Sequence, residues 1–557
     1  MSTETIPGAE SPEDAFAAQP FLRDQLGVNG SHARGLDAAG NGDGERSRLP
    51  VDIRASLEAV RPGHGRFHGA KFSLGYFPAH EVFSSAADKF GYMTKSRVRK
   101  ASRLPLDDST RALLAQLGDL MADSGRETAD DSATPAGFTY VGQFVDHDIT
   151  LDVSSALDSS ALVDATVINN MRSPMLDLDS VYGRGPAVDT FLYRSPAEGE
   201  PASAFRLLLG VNTPSGPGGP GGSAGEAGVV TPTASDVPRT SALTAIIGDP
   251  RNNENLIVSQ FHFAMLRFHN AIVDSLVASG FTGDVFVEAK RQATLHYQWA
   301  VVNDFLPRIC GQAAVDAALA SVSVAVGSRF EMPVEFSVAA YRFGHSMIRD
   351  QYWLNFALRN RPMSDVFLFV HDPDHLPVRS NWVVDFNAFF ETGFTVPIFN
   401  NARKIDSVLA SALENLDGQG PNPMMKILAT RNLLRGLVLG LPSGQATAAA
   451  LGVPVLTTAQ LTDGLPADEV AVLQQQGGLL LAKTPLWYYV LREAMVTTGG
   501  EHLGPLGAKI VADTFVTMLR RDALSMLNVG FAPTLPSAVA GDFTFADLVR
   551  VAKVIGE

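Results

Sequence analysis

Gly142-Gln143-Phe144-Val145-Asp146-His147-Asp148 is the stretch on which the reading of this 557-residue chain turns. Written on a helix, Gln143 and His147 stand four apart and share a face, while Asp146 and Asp148 flank His147 at about 100° on either side. One turn thus aims polar groups in three directions, which requires a rigid helical support. Support of that kind recurs along the chain. From Asn255 to Leu276 the residues Leu256, Phe261, Met265, Leu266, Ile272, Val273 and Leu276 return at helical spacing. A similar apolar helix fits Lys509 to Met526, and Val338 to Met347 can form another. The β-prone run Val366-Phe367-Leu368-Phe369-Val370 belongs to no alternating series. The expected architecture is mainly α with little β and no internal repeat.

Composition sets the limits. With 45% hydrophobic and 18% charged residues the chain can bury a large core. Its net charge of -15 disfavours nucleic acid or an anionic membrane as the main partner. The single cysteine, Cys310, excludes an intramolecular disulfide and any multi-cysteine iron–sulfur or zinc site. Met1 to Gly8 has neither a basic nor an apolar signal region, and no run approaches the ~18 apolar residues of a membrane span. The chain is therefore expected to be cytoplasmic, with no integral membrane association. Residues 1–48, rich in Ala, Gly, Asp, Glu and Ser, read as a flexible leader. Residues 49–557 read as one domain, interrupted at 213–228 by a Gly/Pro-rich surface loop that begins Thr213-Pro214-Ser215-Gly216-Pro217-Gly218.

A second histidine motif, Tyr341-Arg342-Phe343-Gly344-His345, lies far from the first. Two such histidines suit the two sides of a haem. One ligates the iron from below, while the other stays unligated above it and shuttles the proton of a bound peroxide. A third motif, Gly248-Asp249-Pro250-Arg251-Asn252-Asn253-Glu254, opens the long helix after a proline start, with Arg251 and Glu254 three apart. Taken singly, Asp146-His147-Asp148 also reads as a solvated turn, Arg251/Glu254 as an ordinary ion pair and His345 as a core histidine.

Together and in this order, the motifs resemble those of the animal-type haem peroxidases of the peroxidase–cyclooxygenase superfamily, in a bacterial-type form without signal peptide. The likeness is strongest at discrete motifs over roughly residues 137–445. It implies a single large helical domain holding haem b. His147 would be the distal base, Gln143 would lie beside it in the peroxide or halide pocket, and Arg251 would stabilise charge on the departing oxygen. Asp146 and Glu254 match residues that form ester links to haem. Where a relative carries a methionine for a sulfonium link this chain has Asn255, so no such link is expected. His345 would be the proximal iron ligand, with Asn432, in Asn432-Leu433-Leu434-Arg435, accepting from its other ring N–H. Arg342 and Arg435 would pair with the propionates.

The resemblance extends to Ser173-Pro174-Met175-Leu176-Asp177-Leu178-Asp179-Ser180-Val181-Tyr182-Gly183, which alternates oxygen donors suited to a hard cation. It implies Ca2+ held by Ser173, the carbonyl of Met175, Asp177, Asp179 and Asp148. The family has threonine and serine where Ser173 and Asp179 stand, so this set is more acidic. A cation here would tie the distal helix to a remote loop and fix His147.

The implied activity is reduction of hydrogen peroxide to water, by heterolytic O–O cleavage through a ferryl intermediate, with oxidation of a small organic or halide donor. The same superfamily contains fatty-acid dioxygenases, which use a tyrosine three residues before the proximal histidine. Here Arg342 holds that place and Tyr341 is one residue further off, so dioxygenase stands second. A non-catalytic haem-binding scaffold stands third. His262 and His269 are alternative iron ligands, of which His269 reads as structural.

Overall fold

A computed structural model describes residues 89–122, 131–152, 161–213, 234–416 and 426–555. The expected leader at 1–48, and residues 214–228 of the Gly/Pro-rich loop, lie outside them. The fold is mainly α, as expected. Strands are confined, among the described residues, to five two-stranded pairs, of which Lys89–Gly91 runs parallel to Glu331–Pro333 with Phe90 opposite Met332.

Local chemistry sets the helices that carry the site. Helix α1, Asp108–Leu120, starts where the Asp107 side chain accepts from Thr110 N, and it buries Leu113, Leu114 and Leu117. Helix α2, Gly137–Ile149, contains the first motif and is almost wholly buried. Its first residue must be glycine, because a Cβ there would stand 2.5 Å from the Phe389 carbonyl oxygen. Helix α3, Leu256–Ala278, is capped by Asn255, whose side chain accepts from Val258 N. Helix α4, Val285–Ala300, is capped in the same way by Asp284. Helix α3 packs on both α2 and α4. Helices α5 (Leu428–Val438), α6 (Leu486–Thr498) and α7 (Pro505–Arg521) follow. One hydrophobic cluster runs from Phe90 to Ala552 and takes in buried residues of all seven. No helix among the described residues is long and apolar enough to cross a membrane.

Four segments differ from expectation. Val338–Met347 is not a regular helix. A π turn at Glu335–Ala339 meets a 3-10 turn at Ala340–His345, and the chain breaks between them at Ala339, with φ -126 and ψ -78. The buried Glu335 carboxylate pins the start of this segment by accepting from Met93 N and Thr94 N. The motif at 248–254 does not open α3 directly. It forms its own 3-10 turn at Pro250–Asn253, and Asn255 then restarts the helix. Helix α7 begins at Pro505 and ends at Arg521, because Asp522 is extended; Met526 starts a separate short helix. Val366 to Leu368, for all their β propensity, complete the short helix Met363–Leu368.

Candidate active site

His147 is fully buried on α2, and its Nδ1 lies 2.9 Å from Asn252 Oδ1. Arg251, from the neighbouring 3-10 turn, donates to the His147 carbonyl at 2.8 Å, which ties the turn to the helix. The anchor beneath both is Asp249. It caps the turn by accepting from Arg251 N at 2.9 Å, and it receives the side chains of both Arg251 (2.7 Å) and Arg172 (2.6 Å). Burial alone would raise the Asp249 pKa, but the two guanidiniums hold it well below the usual carboxylate range. Asp-Pro at 249–250 is a cap signature that sequence reasoning could have read as a role for Asp249; Arg172 and Asn252 carry no such signal.

Glu254 and Gln143 meet. Gln143 Nε2 donates to Glu254 Oε2 at 3.0 Å, and Asn255 Nδ2 donates to Gln143 Oε1 at 3.0 Å. Burial pushes the Glu254 pKa up to about 7. Asp146 accepts from Thr150 Oγ1 at 2.9 Å and faces Arg342 at 4.0 Å.

On the other side, His345 ends the irregular segment and pairs with Asn432 of α5, Nδ1 to Nδ2, at 2.7 Å. The pair is the expected one, but the amide nitrogen faces the ring, so as placed Asn432 donates where acceptance was expected. A half-turn of the amide puts Oδ1 at the same point, and the choice follows which ring nitrogen carries hydrogen. Arg435 donates to Asp152 at 3.3 Å, and Arg342 Nε donates to the Ser337 carbonyl at 2.9 Å. Sequence reasoning missed Arg431. It is buried, with a pKa lowered to about 10 by burial and by the nearby Arg435 and Arg342, so three guanidiniums lie close together, of which Arg342 reaches a cavity.

This cavity separates the two sides. Gln143, Asp146, Glu254 and Asn255 form one wall; Tyr341 to His345 form the other, with Phe138, Met363, Phe367 and Leu428 between. His147 and Arg251 are not among the wall residues; His147 lies on α2 next to Asp146 and one turn on from Gln143, which are. His262 and His269 do not face the cavity either. His262 bonds to Asn252, while His269 lies between Tyr182 Oη (3.0 Å) and the Phe205 carbonyl (3.2 Å), a structural placement.

The predicted cation loop sits against α2. Asp148 Oδ1 accepts from Ser180 Oγ at 2.8 Å, Asp179 meets Arg172 at 3.3 Å and Ser173 N at 3.0 Å, and Gln298 Nε2 reaches the Met175 carbonyl at 3.4 Å. Burial, with Asp179 and Asp177 adding to it, raises the Asp148 pKa well above the carboxylate range. Among the described residues no three carboxylate, imidazole or thiol groups are disposed as a metal cage. Asp148, Asp177 and Asp179 therefore lie near one another without forming one.

The mainly helical fold thus carries one buried histidine on α2 and a second on the cavity wall opposite, an arrangement able to hold a haem. Comparison with known proteins agrees: the family model for animal haem peroxidase matches residues 164–524, and the chain belongs to that family. The match begins after α2, so the Gln143–Asp148 motif joins it through the contacts of His147 with Arg251 and Asn252. It also runs beyond residue 445, where the motif resemblance had ended. Chorion peroxidase of Drosophila melanogaster is 25% identical over 289 residues, 49% of this chain and 34% of that one. Thyroid peroxidase of Sus scrofa is 26% identical over 371 residues, 61% and 36%. The chain spans about a third of the length of these relatives. Among solved structures, peroxidase A of Dictyostelium discoideum has a TM-score of 0.53 at 17% identity, covering 85% of this chain and 93% of that one. The fatty acid alpha-dioxygenase of Oryza sativa has a TM-score of 0.55 at 13% identity, covering 98% and 94%. These two share the fold.

Proposed function

We propose that the protein is a haem peroxidase that reduces hydrogen peroxide to water while oxidising a small organic or halide donor. The observation that carries this reading is the single cavity bounded by Gln143, Asp146 and Glu254 on one side and by His345, backed by Asn432, on the other. The residues present fit haem b. A Cβ built on Gly344 meets no heavy atom within 4 Å, so open space adjoins His345, and the remaining wall is largely aromatic and aliphatic. His345 would hold the iron, Arg342 and Arg435 the propionates, and Asp146 and Glu254, both on the cavity wall, would form the ester links to the haem. Bound haem supplies the redox centre at which peroxide is reduced.

The remaining chemistry belongs to the chain. His147 Nε2 takes the proton of the incoming peroxide and returns it to the departing oxygen as water forms. Arg251 stays cationic and stabilises negative charge on that oxygen. Gln143 holds Glu254 in place and closes the cavity beside His147. Asn432 sets the ring plane of His345. Asp148, Asp177, Asp179, Ser173 and the Met175 carbonyl are the all-oxygen set through which the chain would hold Ca2+, and binding would have to draw the three carboxylates into a cage that they do not form by themselves. Addition of Ca2+ to chelator-treated protein should raise its melting temperature, and no change would remove the ion from this account.

Peroxide-dependent oxidation of guaiacol or iodide by haem-loaded protein, lost in His147→Ala, tests the reading; absence of any peroxide-dependent turnover in wild type would overturn it. If acidic organic solvent extracts the haem cleanly, the ester links do not form. One observation favours a second reading. Tyr341 is on the cavity wall, stacked on Phe336 at 4.7 Å, and its hydroxyl has no hydrogen-bond partner among the described residues. Oxygen uptake with an unsaturated fatty acid, lost in Tyr341→Phe, would put dioxygenase first.

A further inference from the structure

Asn252 stands between two imidazoles. Its Oδ1 is 2.9 Å from Nδ1 of His147, and its Nδ2 is 3.1 Å from Nδ1 of His262; all three side chains are fully buried. A primary amide has one accepting end and one donating end, and here each end meets a ring nitrogen of the same kind. Nδ2 can only donate, so His262 Nδ1 presents its lone pair. Burial holds the His262 pKa down at about 3, so that ring is neutral and carries its hydrogen on Nε2. With the amide in this orientation Oδ1 can only accept, so His147 Nδ1 carries hydrogen and Nε2 is left as the basic nitrogen.

We propose that Asn252 and His262 form a tautomer lock that fixes the ring hydrogen of His147 on Nδ1 and so keeps Nε2 able to accept a proton. The role of that nitrogen rests on the peroxidase reading above; the lock itself rests on the two contacts. If the amide turned over, its donor end would face His147, the hydrogen would move to Nε2, and proton acceptance there would end. Turning it over also requires His262 to move its own hydrogen from Nε2 to Nδ1, so neither change can occur alone. The frame resists both. Asn252 N is held by the Asp249 carbonyl at 3.0 Å, and His262 lies in the second turn of α3, whose start is fixed by the Asn255 cap. The arrangement leaves His262 Nε2 without a hydrogen-bond partner among the described residues, a cost that a phenyl ring at that position would not carry. Asn252 and His262 are positioning residues, since both act through the ring of His147.

Two-bond nitrogen–hydrogen couplings in histidine-labelled protein report which ring nitrogen is protonated. They are measured on haem-loaded protein in its diamagnetic ferrous carbon monoxide form. Wild type should show hydrogen on Nδ1 of His147 and on Nε2 of His262. Asn252→Ala should abolish the Nδ1–H signal of His147 in favour of Nε2–H, and His262→Phe should give a mixture. The isosteric Asn252→Asp, which accepts at both ends, should leave His147 unchanged and switch His262 to Nδ1–H; this variant also keeps the test alive if the alanine variant does not fold. A wild-type His147 protonated on Nε2, or a His147 tautomer indifferent to all three substitutions, would overturn the lock. The couplings are read without peroxide, so a protein that shows the lock but turns over no peroxide would sink the peroxidase reading alone.

Discussion

The two sides of the cavity are built on different principles. On the distal side each polar group has more than one anchor: His147 is bonded at its ring and at its carbonyl, Arg251 through Asp249 and His147, and Asp249 through two guanidiniums and a backbone N–H. On the proximal side His345 ends a segment broken at Ala339, and one amide from α5 meets its ring. The Asn252 amide is clamped between two rings, whereas that of Asn432 faces one. A side fixed before any ligand arrives suits a group that must meet a transient partner in one orientation. On the haem reading, the proximal side has only to receive the cofactor.

Four changes would break or sharpen this contrast. Asp249→Asn should have the largest effect, because it strands two buried guanidiniums; the expected loss is about 3–5 kcal/mol, read by urea unfolding. Since the Asp249 carboxyl is depressed in the folded state, its contribution is present above the ordinary carboxylate range and lost as pH falls below it, so the variant should lose less stability on acidification than wild type. Next is Glu254, whose pKa rises from 4.5 to about 7 on folding. Between those values the folded state keeps a proton that the unfolded chain releases, so stability of the haem-free protein should fall as pH rises across that window, by at most about 3 kcal/mol. Glu254→Gln should flatten that slope in a pH series of melts, and an unchanged slope would place the titration elsewhere.

Asn432→Ala should lower haem affinity about 10–100-fold in a Soret titration, as loss of a partner behind a metal ligand does, with little effect on unfolding of the haem-free protein. If it unfolds the protein as Asp249→Asn does, the contrast between the sides fails. Gln143→Ala should be mildest. It removes the bonds to Glu254 and from Asn255, costing about 1 kcal/mol per bond in chemical denaturation.

Much of the distal side was legible because its logic is local. Helical spacing placed Gln143 beside His147, and the apolar period from Leu256 to Leu276 marked α3 to within a few residues of its ends. The proximal side was harder to read. Val338 to Met347 has an apolar pattern that fits a helix, yet the pull of Glu335 on Met93 and Thr94 and the break at Ala339 turn it into two tighter and looser turns. Asn432 was reachable only through family resemblance, since no spacing links residues 87 apart. Arg172, Asn252 and Arg431 had no signal at all, because each acts where separate segments cross.

The bonds that define the cavity span long stretches of chain: 111 residues between Gln143 and Glu254, 87 between His345 and Asn432. During synthesis the distal helix therefore leaves the ribosome nearly three hundred residues ahead of Asn432, roughly half a minute at ordinary elongation rates. The cavity is complete only once Leu428 and Asn432 have emerged, so a haem held between its two sides would be captured after most of the chain has been made.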